Sequence, residues 1–570
     1  MNPFYRLNVG LNPRPHPGSA VWLGVRTWGL VAAAAFALLA VVAPIHDPSA
    51  TGFPALWPHE VWEQLNYSVI RQAIYLRLEL ALGIGFTAGL WTYQHAWSGA
   101  PLTEPFLQID DADPKLYRDE LARTKLLERF ALQAGPRAER GLWLAPYLPM
   151  PRSLETRNIM ILGGAGSGKS NICRALCQSA LDRGDRLVLH CAKGDVTGAF
   201  RREDIVLISP THQDGWAWDL GADIDGPAAA GEFACDVIPP STQPFWSDTA
   251  RLVMTDVILL VVAEHGQEWG ARTLLSHLSA APLEIRERIG RLDLSASPLL
   301  GPDGAVDVSK TVEGVMSTLL SGALTTLRPM AYAWSHHPPA RRFSIKRWLS
   351  AQWQGPGVLV VQTNPDFKAL STSVCGGMLK RICARATSPA FRGSGLRVTL
   401  ALDEFYKIGK VEGLAASLSV GRELGLVVII ALQSVWQLRE NFGDGADTLS
   451  DLFQIKIYSQ HVAGRGAVDA SERFGTRRIR GSQLNRHKTA EHAGTLKPLE
   501  IDAFPIFSPT QLQSEVGVFH PNTPREFTRA LVHYAGGAYL LDWRPTKWDA
   551  QTEGYVPAPW TREVVLTQTP

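Results

Sequence analysis

The chain has 570 residues, a formal net charge of +2, 45% apolar residues and 19% charged residues. This length calls for two or three domains, and the composition is that of a globular protein. The small net charge excludes nucleic-acid binding over the whole surface, so any such contact must use a local patch. Six cysteines without metal-site spacing predict reduced packing residues, with neither a disulfide framework nor a zinc site.

The first hundred residues contain two apolar runs. Residues 27–43 are uncharged and, with the apolar residues before them, are long enough to span a bilayer. Residues 80–93 form a shorter run with aromatic residues near both ends, as interface anchors have. We predict a membrane region over 1–98 with helices at about 21–43 and 76–96. A cleaved signal peptide is the alternative for the first run, and the presence of a second run weighs against it.

The distribution of basic residues predicts the orientation of these helices. Arg6, Arg14 and Arg26 precede or open the first run, whereas the loop over 45–68 has acidic residues but no lysine or arginine. The positive-inside rule therefore places the N-terminus and everything after residue 98 in the cytoplasm.

A phosphate-binding loop follows the apolar run 158–162. Residues 163–170 read Gly-Gly-Ala-Gly-Ser-Gly-Lys-Ser, and glycines let backbone N–H groups surround phosphate oxygens. In this pattern Lys169 reaches the β- and γ-phosphates, Ser170 holds Mg²⁺, and the following helix directs its positive end at the anion. The alternative, a glycine turn of a dinucleotide fold, does not account for Gly-Lys-Ser. The predicted ATP-binding residues are Gly163, Gly164, Ala165, Gly166, Ser167, Gly168, Lys169, Ser170 and Asn171.

From about residue 140, short apolar runs alternate with helical patterns, which predicts an α/β fold with a mostly parallel sheet. Candidate strands lie at 159–162, 186–190, 205–208, 358–362, 398–402, 426–432 and 454–458.

The stretch 246–337 has helix-like spacing and few β-branched runs, so we predict an all-α inserted domain there. The predicted order is a linker over 99–139, an ATPase domain over 140–245 and 338–556 that encloses the insertion, and a tail over 557–570.

The strand at 398–402 ends in Asp403 and Glu404. Beside a phosphate-binding loop, the first carboxylate can hold Mg²⁺ through water, and the second can act as general base on the attacking water. An exposed acidic pair at a strand end is the structural alternative. Such a pair suits hydrolysis that drives motion better than transfer to a small acceptor.

Two further residues are candidates for the same site. Gln433 follows the very apolar strand 426–432 and would project at the edge of the sheet where ligands bind. There it could sense the γ-phosphate, or simply cap the strand. Arg422 could neutralise transition-state charge from a neighbouring subunit, as arginine fingers do, although most helix arginines are merely solvated.

The combination resembles the type IV secretion coupling proteins, the TraD/TrwB-like conjugative ATPases. The resemblance covers nearly the whole chain. The matching stretches are Gly-Ala-Gly-Ser-Gly-Lys-Ser (164–170), Lys-Gly-Asp (193–195), Phe-Trp-Ser-Asp-Thr-Ala (245–250), Leu-Asp-Glu-Phe (402–405), Gly-Arg (421–422), Ala-Leu-Gln-Ser (431–434) and Arg-Phe-Gly (473–475). One departure is that Cys191 and Ala192 stand where relatives often have aspartate and proline, which puts any role of that aspartate in doubt.

The resemblance implies a RecA/FtsK-like P-loop domain with an all-α insertion and two N-terminal transmembrane helices in the bacterial inner membrane. It implies a homo-oligomer, expected to be a hexamer, that uses ATP and Mg²⁺ to deliver single-stranded DNA with its relaxase to type IV secretion channel proteins. It also favours Arg422 as a finger acting in the neighbouring subunit.

A basic stretch over 473–488 is the candidate DNA contact, since it holds six basic residues and no acidic one. A solvated basic loop that faces lipid headgroups or a partner is the alternative. The residues are Arg473, Arg477, Arg478, Arg480, Arg486 and Lys488.

Two other functions remain open from the sequence. One is an FtsK-like translocase of double-stranded DNA, which would favour a C-terminal winged domain that is not evident after Val556. The other is a coupling ATPase that recruits protein effectors to a secretion channel, for which DNA would be irrelevant.

Overall fold

The computed structural model describes residues 17–42, 68–97, 107–109, 115–135, 137–301, 308–334, 337–392, 394–411, 413–421, 424–484 and 496–562. The chain divides into two compact units, of which the first comprises Met1–Tyr117 with Thr476–Phe504 and the second Arg118–Gly475 with Pro505–Pro570.

The first unit contains two long helices, α1 (Pro17–Val42) and α2 (Ser68–Trp97). It also has a sheet in which strand Thr476–Leu484 lies between Leu107–Ile109 and Leu496–Pro505. Among the described residues, Ile74–Tyr93 is the one stretch long and apolar enough to cross a membrane, and Gly24–Leu39 is a shorter apolar helix.

Small residues let α1 and α2 approach closely. A Cβ added to Gly89 would lie 2.7 Å from the carbonyl oxygen of Gly24, and one added to Gly85 would lie 2.7 Å from Cβ of Ala32. The Trp28 indole N–H donates to the carbonyl of Leu82 at 3.3 Å. Glycine and alanine at a helix crossing, with a polar group bonded across it, are typical of membrane helix pairs.

A large sheet organises the second unit. In chain order its strands are β1 (Ile159–Leu162), β2 (Arg186–Cys191), β3 (Ile205–Ile208), β4 (Val358–Gln362), β5 (Val398–Leu402), β6 (Leu426–Leu432), β7 (Ile455–Tyr458), β8 (Gly517–Phe519), β9 (Phe527–Tyr534) and β10 (Gly537–Trp543). Their spatial order is β10–β9–β7–β1–β6–β5–β2–β4–β3, and β8 pairs with β9.

The seven strands β1 to β7 confirm the seven strand predictions, with bounds that differ by at most one residue. They pair in parallel with one another, whereas β8, β9 and β10 add an antiparallel edge. Every residue of β1, β5 and β6 is buried, which is why these strands have no polar alternation. The antiparallel edge was not predicted.

The second unit also contains helices. Those of six or more residues are α3 (Asp119–Ala134), α4 (Lys169–Arg183), α5 (Pro227–Val237), α6 (Pro244–His265), α7 (Ala271–Leu278), α8 (Pro282–Gly290), α9 (Lys310–Trp334), α10 (Gly377–Ala386), α11 (Leu414–Gly421), α12 (Trp436–Phe442), α13 (Gly445–Asp451), α14 (Arg465–Phe474) and α15 (Pro509–Ser514). Within the span of the predicted insertion, the described residues form α6 to α9, and α6, α7 and α9 pack against one another.

Candidate functional site

Four neighbouring strands of the parallel sheet, β1, β6, β5 and β2, present their carboxyl ends at one edge. Strand β6 lies between β1 and β5, because its residues pair with both. This order places Gln433 between the phosphate-binding loop after β1 and the Asp403–Glu404 pair after β5. It also brings Lys193, which follows β2, to the other side of that pair. Polar residues distant in the chain therefore lie at the edge where ligands of open α/β sheets bind.

The phosphate-binding loop has the backbone conformation that its glycines allow. Gly166 and Gly168 have φ values of 71° and 90°, a left-handed region that other residues rarely adopt. The ammonium of Lys169 donates to the carbonyl oxygens of Gly163 and Gly164 at 2.8 and 2.7 Å. The lysine thus lies folded over the concave face of its own loop.

The Ser170 hydroxyl donates to Asp403 Oδ2 at 2.7 Å, which joins the start of α4 to the end of β5. Burial lowers the pKa of Lys169, and the nearby carboxylates of Asp403 and Glu404 oppose this shift. The hydroxyl of Ser167 is buried in the loop and has no hydrogen-bond partner among the described residues. The loop and the acidic pair form one polar site.

Two lysines hold the carboxylate of Glu404. Lys193 Nζ lies 2.6 Å from Oε1, and Lys407 forms an ion pair with Oε2. Burial raises the pKa of Glu404, but the hydrogen bonds from Lys193 and Lys407 outweigh burial, so the net shift is downward. The bond to Glu404 in turn raises the pKa of Lys193. Glu404 is therefore held ionised, and its own φ of 52° is left-handed.

His190, at the end of β2, fixes the main chain of this acidic pair. Its Nδ1 contacts the carbonyl oxygen of Asp403, and its Nε2 lies 3.0 Å from the hydroxyl of Thr363. A carbonyl oxygen can only accept, so Nδ1 carries the proton and Nε2 accepts from the threonine. Burial lowers the pKa of His190, which keeps the ring neutral.

The other predicted site residues differ in their surroundings. Gln433 is exposed at the end of β6, and its backbone N–H donates to Gln437 Oε1 at 2.8 Å. Asn171 lies just after the loop, but its amide is bonded to the Thr528 hydroxyl at 3.0 Å and to the Thr546 N–H at 2.7 Å. Ala165 is exposed at the tip of the loop.

The side chains of the predicted arginine finger and of most of the predicted DNA contacts lie outside the described part of the chain. Arg422, Arg486 and Lys488 lie outside the described residues. Arg477, Arg478 and Arg480 belong to the strand Thr476–Leu484 of the first unit. Arg473 is an exposed residue in the last turn of α14, in the second unit.

The segment after β10 runs across the loops at the carboxyl edge of β2, β4 and β3. The carbonyl of Gly554 accepts from the amide of Gln362 at 3.2 Å, and a Cβ added to Gly194 would lie 2.8 Å from the same oxygen. The hydroxyl of Tyr555 accepts from Asn364 at 2.9 Å. This segment, 545–562, is called the strap below, and it braces the turn that carries Lys193.

Cys191 accepts from the Gly194 N–H at 3.1 Å. The sulfur thus supports the turn that presents Lys193, although a sulfur is a weak acceptor. The neighbouring Asp195 forms an ion pair with Arg174 at 2.6 Å. All six cysteines are free, and five of them are buried.

Sequence reasoning assigned no role to Lys193, Lys407 or His190. Lys407 lies three residues after Glu404, a spacing that could have suggested a pair. Lys193 and His190 gave no such signal, because their contacts depend on β2 being the neighbour of β5 in the sheet.

More than half of this chain matches a family of known proteins. A family model described as the type IV secretion-system coupling protein DNA-binding domain matches residues 143–497. Coupling protein TraD of Escherichia coli (strain K12) is 23% identical over 334 residues, which are 58% of this chain and 45% of TraD. The matched region thus spans less than half of that relative's length.

Solved structures of the conjugative coupling protein TrwB have the same fold. The unbound form of TrwBdeltaN70 has a TM-score of 0.58 at 20% identity, over 76% of this chain and 94% of that one. TrwB in complex with ADP and Mg²⁺ has a TM-score of 0.56 at 20% identity, over 75% and 94% of the two chains. Since the family model covers more than half of the sequence, this chain belongs to the type IV secretion-system coupling proteins.

Proposed function

We propose that this chain is a membrane-anchored ATPase that couples ATP hydrolysis to the delivery of single-stranded DNA, with its bound relaxase, into a type IV secretion channel. The observation that carries the proposal is the 2.7 Å bond between Ser170 and Asp403, beside Lys169 and Glu404, in a chain of the coupling-protein family. Complexes of TrwB with ADP and Mg²⁺ and with an ATP analogue support the choice of nucleotide.

The residues of the loop fit a triphosphate. Lys169, which rests on two loop carbonyls, can turn its ammonium to the β- and γ-phosphates. The buried, unpartnered Ser167 hydroxyl and the first N–H groups of α4 are further donors. The oxygens of Ser170 and Asp403 are the ligands that Mg²⁺ takes, and the ion would neutralise charge on the phosphate oxygens.

Glu404 would act as the general base. Its pKa is lowered, so the carboxylate is ionised and able to accept a proton from the attacking water. Its lysine partners must release it first, and Lys193 is suited to this because its side chain is 66% exposed. A lysine at this position can exchange the carboxylate for water or for a phosphate oxygen at small cost.

Gln433 and Arg422 would complete the site. Gln433 lies exposed between the phosphate-binding loop and the acidic pair, where it could detect the γ-phosphate. We propose that Arg422 of a neighbouring subunit supplies the finger, which requires a homo-oligomer such as a hexamer. Monomers should then hydrolyse ATP slowly, and Arg422→Ala should abolish hydrolysis without weakening ATP binding. An equal loss of nucleotide affinity would contradict the finger assignment.

We propose that α1 and α2 both anchor the protein in the bacterial inner membrane, with the N-terminus and the ATPase part in the cytoplasm. Large apolar side chains remain exposed on both helices, among them Leu30 (64%), Leu38 (62%), Phe86 (61%) and Trp91 (66%). In water such a surface would be unfavourable, whereas acyl chains can cover it. The close contact at Gly85 and Gly89 supports a paired hairpin of helices.

The experiment that tests the function measures ATP hydrolysis by the full chain in lipid nanodiscs with single-stranded DNA, with double-stranded DNA and without DNA. Stimulation by single strands that is lost in Lys169→Ala and Glu404→Gln would support the proposal. Hydrolysis indifferent to DNA would favour recruitment of protein effectors, and stimulation by duplex alone would favour an FtsK-like translocase. Co-purification with relaxase rather than toxin-like proteins would identify the cargo.

A further inference from the structure

A glutamate and two histidines meet where α6 and α7 pack together. Glu264 and His265 are the last two residues of α6, and His277 lies in the last turn of α7. One carboxylate oxygen and one ring nitrogen from each histidine all lie within 4.8 Å of one another. The phosphate-binding loop and the acidic pair contribute no residue to this cluster, so it is separate from the site described above.

His277 is buried, and both of its ring nitrogens lie beside acceptors. Nδ1 lies 2.8 Å from the carbonyl oxygen of Thr273, and Nε2 lies 2.9 Å from Glu264 Oε2. The carbonyl can only accept, so Nδ1 carries the proton, and in a neutral ring the lone pair of Nε2 points at the carboxylate. Two acceptors at this distance repel each other unless a cation bonds to both.

The cation cannot be an acidic proton of Glu264, because Arg288 holds this side chain as a carboxylate. Arg288 Nη2 lies 3.0 and 2.8 Å from the two oxygens of Glu264. A carboxylate has about four lone-pair positions, so Glu264 Oε2 can accept from the arginine and still bind a further cation. That cation is either a proton on His277 or a metal ion.

His265 favours the metal ion. Its Nε2 lies 4.0 Å from the same Glu264 oxygen, and its ring meets that of His277 edge to face, with centroids 5.6 Å apart. A proton shared by His277 and Glu264 needs no third ligand, whereas a metal ion does. Zinc–ligand bonds of about 2.0–2.1 Å put the ligand atoms of a tetrahedral site about 3.3 Å apart. The observed separations of 2.9 and 4.0 Å lie on either side of that value, and the His265 side chain, which is 40% exposed, can adjust.

We propose that Glu264, His265 and His277 bind a divalent cation of the zinc class, with water as the fourth ligand. Two imidazole nitrogens, a carboxylate oxygen and a water form a donor set that Zn²⁺ takes, whereas Mg²⁺ prefers oxygens alone. The bond from His277 Nδ1 to the Thr273 carbonyl fixes the ring and its tautomer, as a backbone carbonyl commonly does for a metal-ligating histidine. The bound ion ties the end of α6 to α7 within the inserted helices.

The test titrates Zn²⁺ into the full chain in detergent, without a histidine tag, in competition with a chromophoric chelator. Excess Mg²⁺ and a non-hydrolysable ATP analogue occupy the nucleotide site throughout. We expect one zinc ion per chain. Its affinity should fall at least about tenfold in His265→Ala and in His277→Ala, since even the loss of a group that only supports a ligand costs about 10–100-fold. Co²⁺ in place of Zn²⁺ should give the intense visible absorption of a four-coordinate site in the parent chain, and His265→Ala should lose it.

His520→Ala is the matched control, because His520 is likewise exposed but is not part of the cluster, and this variant should bind zinc like the parent chain. An unchanged affinity for the ATP analogue in each variant establishes that the fold is intact. Absence of zinc binding, or equal affinity in the parent, His265→Ala and His277→Ala, would overturn the proposal and leave a protonated His277 as the partner of Glu264. A loss of affinity in Cys235→Ser but not in His265→Ala would also overturn it, because the exposed Cys235 thiol would then be the ligand.

Discussion

Charged side chains cluster at both ends of the parallel sheet, but the two clusters are built differently. At the amino end, the carboxylate of the fully buried Glu155 forms ion pairs with Arg183 at 2.5 Å and with Arg397 at 2.8 Å. At the carboxyl end, Glu404 is held by Lys193 and Lys407, whose side chains are 66% and 36% exposed. The carboxylate of the first cluster is shielded from water, whereas the lysines of the second are open to it.

This difference separates structure from chemistry. A buried carboxylate between two arginine forks cannot change partners without leaving a charge unpaired, which is very costly. A carboxylate held by exposed lysines can exchange them for water or phosphate at small cost. We therefore expect substitutions at the carboxyl end to change rates, and substitutions at the amino end to change stability.

The largest expected effect is on catalysis at the carboxyl end. Glu404→Gln should lower ATP hydrolysis at least about hundredfold, because the general base is lost. Nucleotide affinity and the melting temperature should stay near those of the parent. Glu120→Gln, on an exposed side chain of α3, is the control and should hydrolyse ATP normally. If Glu404→Gln retained half of the parent rate, Glu404 would not be the general base.

At the amino end the expected effect is on stability. Glu155→Ala should lower the free energy of unfolding by about 3 kcal/mol, because it removes a fully buried carboxylate and leaves the half-buried Arg397 and the N–H of Leu142 without this partner. Denaturant titration measures this loss. The matched control is Glu139→Ala, which breaks an ion pair between Glu139 and Arg152 at the surface and should cost less than about 1 kcal/mol. If both variants lost the same free energy of unfolding, the Glu155 cluster would stabilise the fold no more than a surface ion pair does.

Removing one of the two lysines that hold Glu404 should have a smaller effect on ATP hydrolysis. Since Lys193 lowers the pKa of Glu404, Lys193→Ala should raise that pKa and move the acid limb of the pH–rate profile to higher pH. We expect hydrolysis near neutral pH to change by less than about tenfold. Lys346→Ala, which breaks a comparable pair with Asp225 at 2.6 Å, should leave the profile in place. If the acid limb of the Lys193→Ala profile coincided with that of the parent chain, Lys193 would not be lowering the pKa of Glu404.

The smallest expected effect concerns pH and the strap. Burial, reinforced by Arg202, lowers the pKa of His212 to about 4, and its Nε2 accepts from the Val556 N–H at 3.2 Å. A depressed histidine pKa stabilises the fold above the unfolded value of about 6.5, and this contribution disappears as the pH falls through the folded value. The protection factors of strap amides, which are corrected for the intrinsic pH dependence of exchange, should therefore fall between pH 7 and pH 4. His212→Asn should flatten that fall, and a slope identical to that of the parent would exclude His212 as its cause.

Much of the carboxyl-end site could be predicted because its elements are local. The glycine-rich loop follows β1 directly, and Asp403 and Glu404 follow β5 directly, so each pattern is complete within a few residues. The amino-end cluster gave no such signal, because Glu155, Arg183 and Arg397 are far apart in the chain and meet only in the folded sheet.

The sequence by itself determined the seven parallel strands, the phosphate-binding loop, the acidic pair and the membership of the coupling-protein family. Each depends on periodicity or on a motif that neighbouring residues complete. Only the tertiary structure decided the antiparallel edge, the lysines that hold Glu404 and the path of the strap. These depend on which strands and helices become neighbours, and that order is set by packing between distant segments rather than by local pattern.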